Sequence, residues 1–176
     1  KATQSFNPFS LNELERLVGL PYPEIALRVM ERFSLGTLHP SHLRSLLWQA
    51  YASFPQQILP VRHLRNNQYL IETFHGPTAS FKDLSLQLLP HLMQAATTTT
   101  TELTSNNEKK TSRLGLLVAT SGDTGCAALD AFARLPGTPV IVLYPNTGVS
   151  IVQKAQMQTA TGDVCVLGVD GDFDFW

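Results

Sequence analysis

Apolar residues recur along this chain with two different periods, and the change between them divides it. From residue 10 to 54 they fall three and four apart, as on one face of a helix. Ser10 with Glu13 forms a capping-box pair. Leu14, Leu17 and Val18 mark the face of the helix that follows, and the stretch from Gly19 to Pro23 stops it. Ile25, Val29 and Phe33 mark the buried side of a second helix, after which Gly36 and Pro40 break the chain. Leu43, Leu47, Ala50 and Phe54 form the stripe of a third. All three stripes are expected to pack. Leu59–Leu64 reads as a short strand, Asn66-Asn67 as a turn and Tyr69–Phe74 as a second strand. Leu84, Leu88, Leu89 and Leu92 then share a helical face, which Pro90 should kink or end.

The stretch ATTTTTELTSNNEKKTSR, within residues 95–113, has few apolar groups and no alternation. It is expected to be an exposed, mobile connection, long for a compact domain. Beyond it the pattern changes. Leu114–Ala119, Pro139–Tyr144 and Val164–Asp170 are short apolar runs with the look of buried strands. Helical segments separate them: Cys126–Leu135, and a helix capped by Ser150 with Gln153 that runs towards Thr159. Buried strands alternating with helices predict parallel βαβ units with the helices laid over the sheet. The fold class is therefore α/β, a parallel-sheet domain preceded by a helical region. Four segments follow: 1–60 helical, 61–94 strand and lysine-helix, 95–113 connection, and 114–176 parallel βαβ domain.

Composition adjusts this picture in a few places. Of the 176 residues 43% are hydrophobic, enough for a sizeable core, but only 15% are charged, well below the usual quarter. Part of the surface is expected to be covered, by more chain or by a partner. A net charge of -1 offers no field to draw in nucleic acid or an acidic membrane. No apolar run reaches membrane-spanning length, and KATQSFNPFS holds no apolar signal segment. The chain does not begin with Met, so its start is expected to be processed or cut from a longer chain. Cys126 and Cys165 sit in apolar runs and are expected in the core; two cysteines make no disulfide framework, which fits the cytoplasm or another reducing compartment. The histidines show no metal spacing, and no metal is expected.

Two stretches carry candidate chemistry. Thr120-Ser121-Gly122-Asp123-Thr124-Gly125 lies between a strand and a helix, where open α/β sheets bind ligands. Its glycines let the backbone approach a bound group, its amides at a helix start suit an anion, and Thr120, Ser121 and Thr124 add hydroxyls. It is neither a dinucleotide nor a P-loop fingerprint. A polar loop that merely caps its helix has the same composition. FHGPTASFKD, Phe74–Asp83, sets a single lysine at the threshold of a hydrophobic run. A lysine amine adds to carbonyl compounds as a Schiff base once it loses its proton, which burial or a cationic neighbour promotes. The plainer reading is a helix-terminal Lys82 paired with Asp83. His75 reads as a turn residue or a hydrogen-bonded core histidine. Lys154 either meets a phosphate near the sheet's ligand edge or faces solvent.

These residues resemble the threonine synthase family. His75-Gly76-Pro77-Thr78 with Ser80-Phe81-Lys82-Asp83 is similar to its pyridoxal-phosphate lysine region, and the Thr120–Gly125 loop to its second conserved loop. Tyr144–Met157 and Val169–Phe175 resemble two further segments, in the same order. The resemblance covers the chain from about Leu59 onward, with a looser likeness before it, and its flavour is that of the threonine-synthase-like group of animals.

The resemblance implies a fold-type II pyridoxal-phosphate enzyme. Lys82 would hold pyridoxal 5'-phosphate through its amine and shuttle protons. Ser121, Gly122, Asp123, Thr124 and Gly125 would flank the cofactor, with Ser121 and Thr124 also binding substrate, and Thr78, Ser80 and Lys154 would serve the substrate's phosphate. The substrate would be a small phosphorylated amino acid, O-phosphohomoserine, converted to threonine and phosphate by a phosphate-eliminating carbon–oxygen lyase. A related phospho-lyase would instead leave a keto acid and ammonia, and a non-catalytic interaction fragment would keep only the fold. The family's second half, with its glycine-rich loop for the cofactor phosphate and its hydroxyl facing the pyridine nitrogen, has no counterpart before Trp176. The chain is therefore expected to be the N-terminal portion of a longer protein, inactive by itself, with room for a homo-oligomer.

Overall fold

The computed structural model of the protein describes residues 7–33, 38–103, 114–133, 135 and 137–171, and of 98–103 the backbone alone. The expected break at Gly36, the remainder of the threonine-rich connection and the end of the Val169–Phe175 run lie outside the described residues. The chain divides into two compact units, 1–52 and 53–176.

The first unit holds α1 (Leu11–Glu15), α2 (Tyr22–Glu31) and α3 (Pro40–Ala50). Ser10 and Glu13 close the expected capping box. Leu27, Leu43, Leu46, Leu47 and Ala50 are buried, and Tyr22 meets Tyr51 edge to face at 5.0 Å. Glu24 takes both the Arg44 guanidinium, at 2.8 Å, and the Trp48 indole N–H, at 3.0 Å. The third stripe packs as expected, Leu43, Leu47, Ala50 and Phe54 all being buried. The other two do so incompletely. Val18 is 82% exposed and Phe33 57%, and α1 buries nothing. A helix of five residues is too short to present a whole face to a partner, so its apolar spacing does not secure burial.

The second unit opens with an antiparallel hairpin, β1 (Val61–Arg65) and β2 (Gln68–Ile71), turning at Asn66 with φ 51°. Asparagine tolerates that left-handed backbone better than most residues. The short helix α4 (Asp83–Leu86) and the longer α5 (Leu89–Leu103) follow the lysine turn. Here the expectation of an open connection from residue 95 is corrected, since α5 runs on to Leu103. Pro90 sits in its first turn, where a missing N–H costs nothing. Leu89–Ala96 is rich in good helix formers, and each added threonine costs only a few tenths of a kcal/mol, ~0.5, so the helix propagates through the run.

A three-stranded parallel sheet forms the rest: β3 (Leu116–Ala119), β4 (Val140–Pro145) and β5 (Val164–Val169), in the order β3-β4-β5. The strands are joined through α6 (Asp123–Ala133) and α7 (Ile151–Gln158). The core sits between this sheet and its helices. It consists of Cys126, Leu129, Phe132, Val140, Val142, Tyr144 and Met157, with Leu86 and Met93 packed against it. Each large apolar side chain so buried stabilises the fold by ~1.5–3 kcal/mol. Cys126 is buried as expected, but Cys165 is exposed. In β5 alternate side chains point to opposite faces, and only one face of this sheet is covered.

The uncovered face carries Leu117, Ile141, Cys165 and Leu167. Leu117 pairs with Ile141 and Ile141 with Cys165 across the strands. Leu117 is 67% exposed, Ile141 40% and Leu167 47%. Parallel sheets are normally buried on both faces, so a bare apolar face of this kind favours association. A polypeptide of these 176 residues alone is expected to self-associate at tens of micromolar, roughly, and the double variant Leu117→Glu with Leu167→Glu to run as a monomer. Sedimentation velocity checks this, and a monodisperse wild-type monomer would refute it. Among the described residues no helix is long and apolar enough to cross a membrane.

Candidate functional site

Lys82 stands at the head of α4 with helical backbone angles, its side chain half-buried. The turn before it is built by Asp83. This carboxylate is fully buried and turned inward, where Oδ2 accepts the Thr78 N–H at 2.9 Å and Oδ1 the Thr78 O–H at 2.7 Å. Gly76 lies against it so closely that a Cβ there would overlap the carboxylate. Ala79 completes the turn with φ 58°, a strained setting for a residue with a Cβ. Ser80, buried, accepts the Lys82 N–H at 3.3 Å.

The pairing of Lys82 with Asp83 is thus not found. The Lys82 amine lies 4.4 Å from the centre of the Phe81 ring, and among the described residues no carboxylate engages it. Thr78 and Ser80, expected at the substrate's phosphate, also brace the turn: the Thr78 O–H is given to Asp83, and the buried Ser80 hydroxyl accepts the Lys82 N–H. His75 is hydrogen-bonded, as expected, to Glu72 at 2.7 Å. That bond, with the Arg62 guanidinium beside it, holds the Glu72 carboxyl below its ordinary range.

The second loop is organised by Thr120, whose hydroxyl is buried at the end of β3. Its Oγ1 accepts the amides of Gly122, at 3.0 Å, and Gly125, at 2.9 Å. Those two amides are therefore unavailable to an anion. The amides of Ser121, Asp123 and Thr124 remain at the helix start, with Ser121 exposed and Asp123 and Thr124 half-buried. Gly122 has φ 143°, and a Cβ there would lie 2.6 Å from the Gln153 amide. Glycine satisfies both constraints. Lys154, on α7, is half-buried.

Two hydrogen bonds tie the lysine turn and α4 to the α6–α7 layer. The Gln156 amide donates to the Thr78 carbonyl at 3.4 Å, and the Gln87 amide to Asp130 at 2.7 Å. The Cys126 thiol is pushed up to about 11, chiefly by burial, with the Asp123 and Asp83 charges adding to it. The thiol therefore stays protonated at neutral pH. A cleft lined by Pro77, Thr78, Cys126, Asp130, Gln156 and Thr161 takes in neither Lys82 nor Ser121–Thr124. The parts played by Asp83, Thr120 and Gln153 were not anticipated from sequence. Only the Ser150–Gln153 capping pattern gave any sign of the third.

No family model matches the chain. It is 36% identical to the threonine synthase of Pseudomonas aeruginosa over 168 residues, which are 94% of this chain and 34% of that protein. It is 39% identical to human threonine synthase-like 1 over 187 aligned positions, 98% of this chain and 23% of that protein. Among solved structures, the pyridoxal-phosphate-bound threonine synthase of Brucella melitensis superposes with a TM-score of 0.81 at 32% identity, over 97% of this chain and 35% of that one. The yeast enzyme superposes with a TM-score of 0.82 at 28% identity, over the same shares. The chain spans about a third of the length of these proteins or less. With the fold, the order of the motifs and these similarities in agreement, the chain is a homologue of the threonine synthases, alignable with them over a part of their length.

Proposed function

We propose that the full-length protein containing this segment is a pyridoxal-phosphate enzyme that converts O-phosphohomoserine and water to threonine and phosphate. The observation that supports it best is the setting of Lys82: a half-buried amine, free of any ion pair among the described residues, at the end of a tightly braced turn. Such an amine fits an aldehyde cofactor, since a lysine amine not committed to an ion pair is sterically open to add to a carbonyl group. The bound cofactor supplies the electron sink for carbanion chemistry. Lys82 would hold that group through its amine and would move protons at the substrate's α-carbon. The loop of Ser121, Gly122, Asp123, Thr124 and Gly125 would flank the cofactor, and its free amides and hydroxyls would take the substrate carboxylate. Lys154 attracts the substrate's phosphate as a point charge.

A phospho-lyase giving a keto acid, ammonia and phosphate would use the same residues. The two are distinguished by product. Supplied with O-phosphohomoserine, the full-length protein is expected to release phosphate and threonine in equal amounts. Phosphate with keto acid would mark the lyase, and no turnover of any phosphorylated amino acid would favour a non-catalytic role.

A further inference from the structure

We infer that Gln153 is a positioning residue for the Ser121–Thr124 loop, acting through Asp123; the inference rests on the proposed role of that loop in binding substrate. Its amide is used at both ends. Gln153 Oε1 accepts the Ser150 N–H at 3.0 Å, and Ser150 Oγ accepts the Gln153 N–H at 3.2 Å, the two halves of the capping box that starts α7. This sets the orientation of the amide, since only oxygen can meet the Ser150 N–H. Nε2 is thereby aimed away from the cap, and it donates to Asp123 Oδ1 at 2.5 Å. The same amide fills the space in which a Cβ on Gly122 would lie. The loop is thus held from inside by Thr120 and from outside by Gln153.

A capping box accepts glutamate as readily as glutamine at this position. Glutamate would keep the cap of α7 but set a second carboxylate against Asp123, where like charges repel. The identity of residue 153 therefore matters to the loop and not to its own helix.

This separation supplies the test, in the full-length protein without cofactor. Hydrogen exchange is followed at the bonded amides of Gly122, Gly125 and Cys126 and across α7 for the wild type, Gln153→Glu, Asp123→Asn and the double variant. In Gln153→Glu, exchange in the loop is expected to rise about tenfold, equivalent to ~1.4 kcal/mol of lost protection, while α7 is unchanged. Asp123→Asn keeps an acceptor for Nε2 and should resemble the wild type. The double variant restores the bond with donor and acceptor exchanged, and the loop should close again. An unchanged loop in Gln153→Glu, loosening confined to α7, or a double variant as open as the single would each overturn the assignment. Phosphate release from O-phosphohomoserine by the wild type, measured in parallel, tests the proposed reaction separately: its absence removes the catalytic reading but leaves the exchange pattern to be judged by itself.

Discussion

Replacing Lys82 with alanine is expected to abolish phosphate release from O-phosphohomoserine by the full-length protein while leaving it folded. The loss should be at least about 10³-fold, because one amine both holds the cofactor and transfers protons, and a positioned acid–base group alone contributes about 10²–10⁴-fold. Stability should change by less than ~1 kcal/mol. Lys82 is half-buried, carries no ion pair among the described residues and touches chiefly the Phe81 ring, a contact of ~0.5–1 kcal/mol at an accessible site. Borohydride reduction of the cofactor-loaded protein followed by peptide mapping checks the covalent role independently of turnover. A label on the Lys82 peptide is expected, lost in the variant. A label on Lys154 instead would transfer the role to α7 and sink the assignment.

Asp83 should behave in the opposite way, with a large cost in stability. Asp83→Ala leaves the N–H and O–H of Thr78 without their acceptor in a partly buried turn, where unmet donors cost up to ~1–3 kcal/mol each. Removing a buried carboxylate recovers part of its desolvation, so a net loss of ~2–3 kcal/mol is expected. Asp83→Asn should cost far less. Its oxygen can accept the Thr78 amide while the threonine hydroxyl reverses to accept from the new NH₂ group. Because the turn aims Lys82, Asp83→Ala should also lower turnover by about 10²-fold even where it folds, as small misplacements of a reacting group do. Urea unfolding of the full-length variants tests the first part and phosphate release the second. An Asp83→Ala protein as stable as the wild type would show that the clasp on Thr78 is not what shapes the turn.

Local pattern alone determined the succession of elements. The capping boxes at Ser10 and Ser150 and the turn at Asn66 all need only neighbours in sequence, and the structure contains them. The three parallel strands were equally legible, because apolar runs of six residues between helices have few other solutions. The two stretches of candidate chemistry were visible as glycine-bearing polar turns at strand and helix ends. The ranking of their residues was not. Asp83 follows the lysine and looks like its partner, yet the chain folds so that the carboxylate points at Thr78, five residues back. Thr78 and Ser80 carry hydroxyls suited to a phosphate, and the turn also uses them itself. Thr120 braces the loop from two and five residues away, whereas Gln153 meets Asp123 from thirty residues along the chain, through the packing of α6 against α7.

Exposure also escaped the pattern. Val18 and Phe33 have helical spacing and lie open, and Cys165 has apolar neighbours on an uncovered sheet face. Sequence alone thus determined most of the helices and strands and where polar turns interrupt them, though not the extension of α5 to Leu103, since backbone hydrogen bonds and side-chain period are local. Tertiary structure alone decided which polar groups meet and which apolar faces are covered, because each depends on donors, acceptors and surfaces brought together from distant positions along the chain.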